Sequence, residues 1–357
     1  MSNPTPNITI PVDLTNPGQF FACCGLLELA DRLWPGAEGW FTDMGQEFNI
    51  AGGGALSELS NAIMNCEMES LMPPDQLDEL RRLSNPHQEL EARIAECVDR
   101  KKTKQAEVKE LTDRRKKLNK EAKKELQKQI EELTEQRKAL EGELKRLKDL
   151  LEEQKASRNV VSKTNEKRKK SLNSKRIASG FRLGTPFNIR IDWWLVENCD
   201  GDHLKTWAGQ QAIAGIATAI HQSLSAVDNT EFFDHETLII RDGEPVAPLS
   251  LDSGRAGTAL DVGYSSDKVG QPISCCVWTE FLTLIALQRF ALQPDPDGFF
   301  TLHAWREPLS SSVAAAAARG QFPELVGCAG RFRLAGRDSG NRYKAFQQAS
   351  LTQWRTQ

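Results

Sequence analysis

Two stretches of this chain concentrate guanidinium and ammonium groups at spacings that suit phosphate chemistry. Lys167, Arg168, Lys169, Lys170, Lys175, Arg176 and Arg182 fall in a block, residues 157–182, where nine basic residues face one acid, Glu166. The second stretch is Arg331-Phe332-Arg333-Leu334-Ala335-Gly336-Arg337, followed by Arg342-Tyr343-Lys344. Alternation on a strand would set Arg331, Arg333, Ala335 and Arg337 on one face, a row of guanidiniums able to follow phosphates. Clustered cations release condensed counterions on meeting a polyphosphate backbone, a favourable term that ignores base sequence.

Other chemistry is harder to assemble. There is no Walker A sequence, no G-x-G-x-x-G, no G-x-S-x-G and no H-E-x-x-H. The histidines, His87, His203, His221, His235 and His303, are scattered. Asp234-His235-Glu236 is the one local cluster of metal-capable residues, and adjacent side chains point apart on a strand. No metal and no other cofactor is expected. The eight cysteines include two vicinal pairs, Cys23-Cys24 and Cys275-Cys276, inside apolar runs and no C-x-x-C; they read as buried, reduced thiols. Gly52-Gly53-Gly54 before a helix could cradle a phosphate, with a plain turn the simpler reading. Asp252, Asp261, Asp267 and Glu280 are dispersed acids of the kind a nuclease would need. Without a motif to join them, the expectation is a binding protein and not an enzyme.

The elements that must position these groups divide the chain by charge. Residues 88–175 hold 27 Lys/Arg and 18 Asp/Glu, a net of +9, and the remainder carries 19 and 31, a net of −12. All eight tryptophans lie in that acidic remainder. Sign asymmetry of this kind points to an interaction role. No run reaches the roughly 18 apolar residues of a membrane span, and Met1 to Pro6 lacks the order of a signal peptide, so a cytoplasmic location is expected.

The pattern predicts an α+β body with a long inserted coiled coil. Its parts are an N-terminal portion of the body (1–84), a helical insertion (85–156), a basic strap with too few apolar residues for a core (157–182) and the rest of the body (183–357). The opening reads as strand 7–14, helix 17–33 with Asn16 as cap and Pro17 at the first helical position, one strand-like run from Trp40 to Ile50, and helix 55–66. A linker covers 67–87. In the insertion Leu90, Ile94, Cys97, Lys101, Lys104, Val108, Leu111, Arg115 and Leu118 step in threes and fours, and the seam resumes from Ile130 to Leu151. A single rod would be ~100 Å long and a hairpin turning near Leu118-Asn119-Lys120 would have arms of roughly 45 Å. The hairpin is favoured because the chain must return to the body. Later elements are a strand at 188–194, a helix from His203 to Ser223, strands at 237–241 and 246–251, helix 276–290, strand 299–305, helix 313–319, strand 331–337 and a helix from about Arg342 to the end.

Several blocks resemble one family. The opening Ile10-Pro11-Val12-Asp13-Leu14-Thr15-Asn16-Pro17-Gly18-Gln19-Phe20-Phe21-Ala22-Cys23-Cys24-Gly25-Leu26-Leu27-Glu28-Leu29 resembles the N-terminus of the large subunit of type I-G (formerly I-U) CRISPR-associated Cascade complexes. The stretches from Leu251-Asp252-Ser253 to Ala259–Ser265, Glu280 to Phe290, and Trp305-Arg306-Glu307-Pro308-Leu309 fit the same pattern. The coiled coil and the strap lie outside it. The resemblance implies a non-catalytic subunit of an RNA-guided particle that helps recognise a motif flanking the target, opens duplex DNA and docks a helicase-nuclease, beside backbone and guide-end subunits. In such particles base pairing reads the sequence and protein reads the flanking motif and the backbone. Asn16 and Gln19 could then place amides at base edges. The alternatives are a coiled-coil scaffold that recruits a protein without touching DNA, and a nuclease built on the dispersed acids.

Overall fold

A computed structural model describes residues 4–84, 87–116, 120–157, 162–177, 179–195, 203–207, 211–227, 232–241, 243–254, 272–336 and 343–354. The chain forms two compact units, Met1–Met72 with Arg176–Gln357, and Pro73–Lys175. In chain order the elements are β1 (Ile8–Pro11), α1 (Pro17–Leu33), β2 (Glu38–Thr42), β3 (Glu47–Ala51), α2 (Leu56–Asn65), β4 (Met68–Ser70), α3 (Pro74–Ser84), α4 (Gln88–Lys116), α5 (Lys120–Ser157) and α6 (Ser162–Ile177). They continue with β5 (Phe181–Leu183), β6 (Ile189–Ile191), α7 (Ile213–Ser223), β7 (Ile239–Arg241), β8 (Glu244–Val246), α8 (Val277–Phe290), β9 (Phe300–Trp305), β10 (Leu309–Ser310), α9 (Ser311–Ala318), β11 (Val326–Phe332), β12 (Leu334–Gly336), β13 (Lys344–Phe346) and β14 (Ser350–Leu351).

The first unit is a mixed helix-and-strand body centred on α1 and α8. Both helices are apolar on nearly every side, the signature of a fully enclosed helix. Small residues along α1 let the two backbones approach closely. A Cβ at Gly25 would stand 2.2 Å from the Leu282 carbonyl oxygen, and one at Gly18 would stand 2.3 Å from that of Leu251. Glu28, buried on α1, is flanked by Arg32 Nε at 2.8 Å and Arg289 Nε at 2.6 Å. Arg319 donates to the carbonyls of Arg289 and Ala291 at the end of α8, where helical carbonyls lack intrahelical partners.

A four-stranded sheet, β1-β3-β2-β10, packs against α1. Its register sets Ile8 opposite Ile50 and Ile10 opposite Phe48, so one face is apolar. Trp305 lies edge-on to Phe20, Phe41 and Phe48 and donates its indole N–H to the Gly39 carbonyl at 2.7 Å. A second sheet has the order β14-β11-β9, a third β4-β5-β6, and β7-β8 and β12-β13 are two-stranded. Every pairing between described strands is antiparallel.

In the second unit α4 and α5 pack side by side through Leu90, Ile94, Cys97, Leu140, Leu144 and Leu147. Cys97 Sγ donates to the Leu140 carbonyl, and Lys101 pairs with Glu141 at 2.7 Å. Residues 117 and 118, with Asn119, the expected turn, lie outside the described residues.

Several expected elements take another form. Trp40 to Ile50 is two strands, β2 and β3, split by Met44 and Gly45 at positive φ (56° and 90°). The expected linker 67–87 contains β4, paired with β5, and the helix α3. The expected strap is largely the helix α6, because Leu172 is fully buried and α3 supplies partners for its cations. Of the helix expected from His203, the described part is α7 from Ile213; Trp207 instead packs its ring on Trp193 and Trp194, and residues 208–210 lie outside the described residues. Residues 247–251 form no strand; Ser250 has φ 63°, and Glu280 takes the Leu251 and Asp252 amides. The expected terminal helix is replaced by β13 and β14, where Phe346 packs against Phe21 and Phe332.

Candidate nucleic-acid interface

At 3.6 residues per turn, the helix α6 sorts the basic block into two faces. Arg168, Leu172 and Lys175 share the face turned to α3. There Arg168 donates two hydrogen bonds to the Glu79 carboxylate, each 2.8 Å, and Lys175 donates to Gln76 Oε1. The hydrogen bond from Arg168, with its charge, holds the Glu79 carboxyl below the usual range. Lys167, Lys169 and Lys170 are exposed, with Lys167 and Lys170 opposite Leu172. Arg176 is exposed at the end of α6 and has a partner within the chain. Arg182, on the solvent side of β5, donates to Asn188 Oδ1 at 3.1 Å and stands opposite Arg190, which pairs with Asp192.

The second strip is not the continuous row expected from alternation. β11 ends at Phe332, the Arg333 carbonyl accepts from the Gln347 amide, and β12 joins a different sheet. Ala335 is buried whereas Arg331 is exposed, so the two do not share a face. Arg331 lies over the Phe299 ring at 3.9 Å and contacts Asp295 at 2.6 Å and Asp297 at 3.6 Å. Arg333 donates to Gln347 Oε1 at 2.8 Å, and Lys344 is half-buried on β13. Arg337 and Arg342 lie outside the described residues.

The amide of Phe299 and the Arg331 guanidinium hold the Asp295 carboxyl below its ordinary value. A carboxylate with a depressed folded value stabilises above its unfolded value and loses that contribution as pH falls through the folded one. The loop 295–299 should therefore stay pinned to Arg331 at neutral pH and release only as the pH falls through that lowered value. Hydrogen exchange at the Phe299 amide checks this; protection that Asp295→Asn leaves unchanged at neutral pH would contradict it.

Of the two amides expected at base edges, Asn16 is spent inside the protein and Gln19 is half-buried at the surface. Asn16, 3% exposed, accepts from Gly18 N, Ser253 N and Ser253 Oγ and donates to Asp252 Oδ1 at 2.6 Å. Gln19 Oε1 accepts from the Asp13 amide. Asn16 is thus a helix cap that also ties α1 to the segment 251–254. Asp252 and Glu280 are buried and accept backbone N–H groups, and Asp261 and Asp267 lie outside the described residues. Among the described residues, no three His, Cys, Asp or Glu side chains are grouped to hold a metal ion.

One thiol–imidazole pair had no signal in the sequence, since 155 residues separate its members. Cys66 Sγ lies 3.7 Å from His221 Nε2, yet both face the Ile63 carbonyl, at 3.1 and 2.7 Å. A carbonyl only accepts, so the imidazole nitrogen nearest the thiol carries a proton and is not a base for it. Burial pushes the Cys66 thiol up to about 11 and holds His221 below its ordinary value. Burial likewise raises Cys276 and Cys328 to about 11. Because all seven described cysteines are buried, they should resist a disulfide reagent at pH 8 until urea unfolds the chain. Mass mapping of labelled peptides reads this, and fast native labelling at Cys66 would refute it.

A comparison of the chain with protein-family models, curated proteins and solved structures finds no match.

Proposed function

We propose that this chain is the non-catalytic large subunit of a type I-G CRISPR RNA-guided surveillance complex, acting in the cytoplasm. It contributes to flanking-motif recognition and target opening, and it docks a helicase-nuclease. The observation that carries this reading is the convergence of the sequence blocks behind the resemblance. Asn16 and Gly18 of the first block meet Asp252 of the second; Thr283 of the third donates to the Gly18 carbonyl at 2.8 Å. Trp305 of the fourth bonds Gly39 beside Phe20. Segments more than 200 residues apart thus supply one another's hydrogen-bond partners, as residues of a shared core do.

In this reading α4 and α5 form an antiparallel coiled-coil hairpin, and Lys167, Lys169 and Lys170 meet the target-strand backbone. The Asn16 amide is buried and serves the core, which leaves Gln19 as the remaining candidate of the two for motif reading. Co-expression with guide RNA and the backbone and guide-end subunits of one such system tests the assignment. Stoichiometric co-purification that depends on guide RNA is expected. A chain that elutes alone in every combination would overturn it.

A further inference from the structure

We infer that copies of this chain associate side to side through α4 and α5, the acidic side of one helix pair against the lysine-rich side of the next. The inference lies within the second unit and is independent of the function proposed above. The apolar contact that joins α4 to α5 leaves two open sides along the pair. One side holds a groove of about 630 Å³, lined among others by Glu96, Thr103 and Glu107 of α4 and by Ala139 and Glu143 of α5. Residues three and four apart from these share that side, and the other flank of each helix lies opposite. Over 93–110 and 128–148 the groove side carries Glu96, Glu107, Glu110, Glu132 and Glu143 against three arginines. The opposite side carries Lys102, Lys109, Lys138, Lys145 and Lys148 against two glutamates, Glu131 and Glu141. Lys101 engages Glu141 at 2.7 Å. All five lysines are exposed, as are the five groove-side glutamates except the half-buried Glu107.

Helix stability does not account for this sorting. It is served by opposite charges three or four residues apart on one helix, and Lys102 with Asp99 and Lys138 with Glu135 are such pairs. It does not require that the two signs collect on opposite sides of a helix pair. A polyanion would cover the lysine side and leave the groove side unexplained, whereas a second copy uses both. A twofold contact would set like charges against each other, so the arrangement is head to tail, groove side to lysine side. The available area is sufficient. The 29 residues of α4 extend ~43 Å at 1.5 Å per residue, and two helices abreast are roughly 20 Å wide. Each side thus offers roughly 850 Å², against about 800 Å² per partner in a standard interface. Among the described residues of the pair, the one large hydrophobic side chain left exposed is Leu150, at 47%. It lies two helical turns past Glu143, on the groove side, where a partner would cover it.

The test uses the purified, nuclease-treated full chain in sedimentation velocity over a range of protein concentrations. Wild type should self-associate at about 0.05 M salt and dissociate at about 0.5 M, where the screening length falls to a few ångströms. Two charge-reversal variants separate the sides: K109E/K145E/K148E on the lysine side and E96K/E132K/E143K on the groove side. Each alone should associate at least tenfold more weakly than wild type. Mixed in equal amounts, they should form a one-to-one complex that grows no further, because each retains the side that the other has lost. Wild type that sediments as a monomer at every salt and protein concentration overturns the inference. So does either variant that associates as wild type does, or a mixture that shows no complex. Association seen only before nuclease treatment assigns the lysine side to nucleic acid instead and equally overturns it. Circular dichroism checks that helicity is kept. Should a triple variant lose it, K145Q/K148Q and E96Q/E143Q replace the reversals, and an association constant unchanged in both counts against the contact.

Discussion

Trp305→Ala is expected to remove about 5 kcal/mol from the stability of the body, the usual upper range for truncating a buried tryptophan. Trp305 is fully buried, with its ring edge-on to Phe41 at 5.0 Å, and to Phe20 and Phe48 at 6.2 Å. The truncation opens a cavity where α1, the β1-β3-β2-β10 sheet and β9 meet, and it leaves the Gly39 carbonyl without its donor. Domains commonly retain only 5–15 kcal/mol, so the variant should be partly or wholly unfolded in urea concentrations that leave wild type intact. Trp305→Phe separates the two contributions. It keeps most of the ring packing and loses the hydrogen bond, at a cost of about 1–3 kcal/mol for the stranded carbonyl. Urea midpoints followed by far-ultraviolet circular dichroism measure both. A Trp305→Ala loss below about 1 kcal/mol would mean that this ring is not a keystone of the packing.

The second large effect concerns the exposed lysines of α6. If the proposed duplex contact is right, K167Q/K169Q/K170Q should weaken target-duplex binding by the assembled particle at least tenfold near 0.1 M salt and lower the salt slope by about 3. Glu79→Gln supplies the opposite sign. It removes the carboxylate that engages Arg168 on the inner face, leaving another cation available, and should strengthen binding about threefold. The exposed ion pair itself adds little to stability, so neither variant should unfold the chain. Lysine variants that bind like wild type, at every salt concentration, would remove α6 from the interface and favour the scaffold alternative.

Much of the architecture was legible in the residues. The Asn16-Pro17 start of α1 was readable because capping is local: the side chain reaches the Gly18 amide two residues on. The long helices α4 and α5 were readable from their heptad spacing and the absence of Pro and Gly breakers before Gly142. α6 was not, because its composition alone cannot bury enough surface. Its order comes from Glu79 and Gln76, about 90 and 100 positions earlier, and from one buried leucine. The arginine strip failed for a related reason. Alternation correctly exposed Arg331, but the switch of sheets after Phe332 depends on which distant strands are free to pair.

The sequence by itself determined where charge accumulates, which segments are long helices, and that the vicinal cysteines belong in an apolar interior. These are properties of composition and short-range periodicity. Only the tertiary structure decided which cations remain available. It assigned Arg168 to Glu79 and Arg331 to Asp295, left Lys167, Lys169 and Lys170 outward, and turned Asn16 from a candidate reader of bases into a buried tie between α1 and Asp252. A charge or an amide is neutralised by whatever the fold brings within about 3 Å of it, and that neighbour need not be close in the chain.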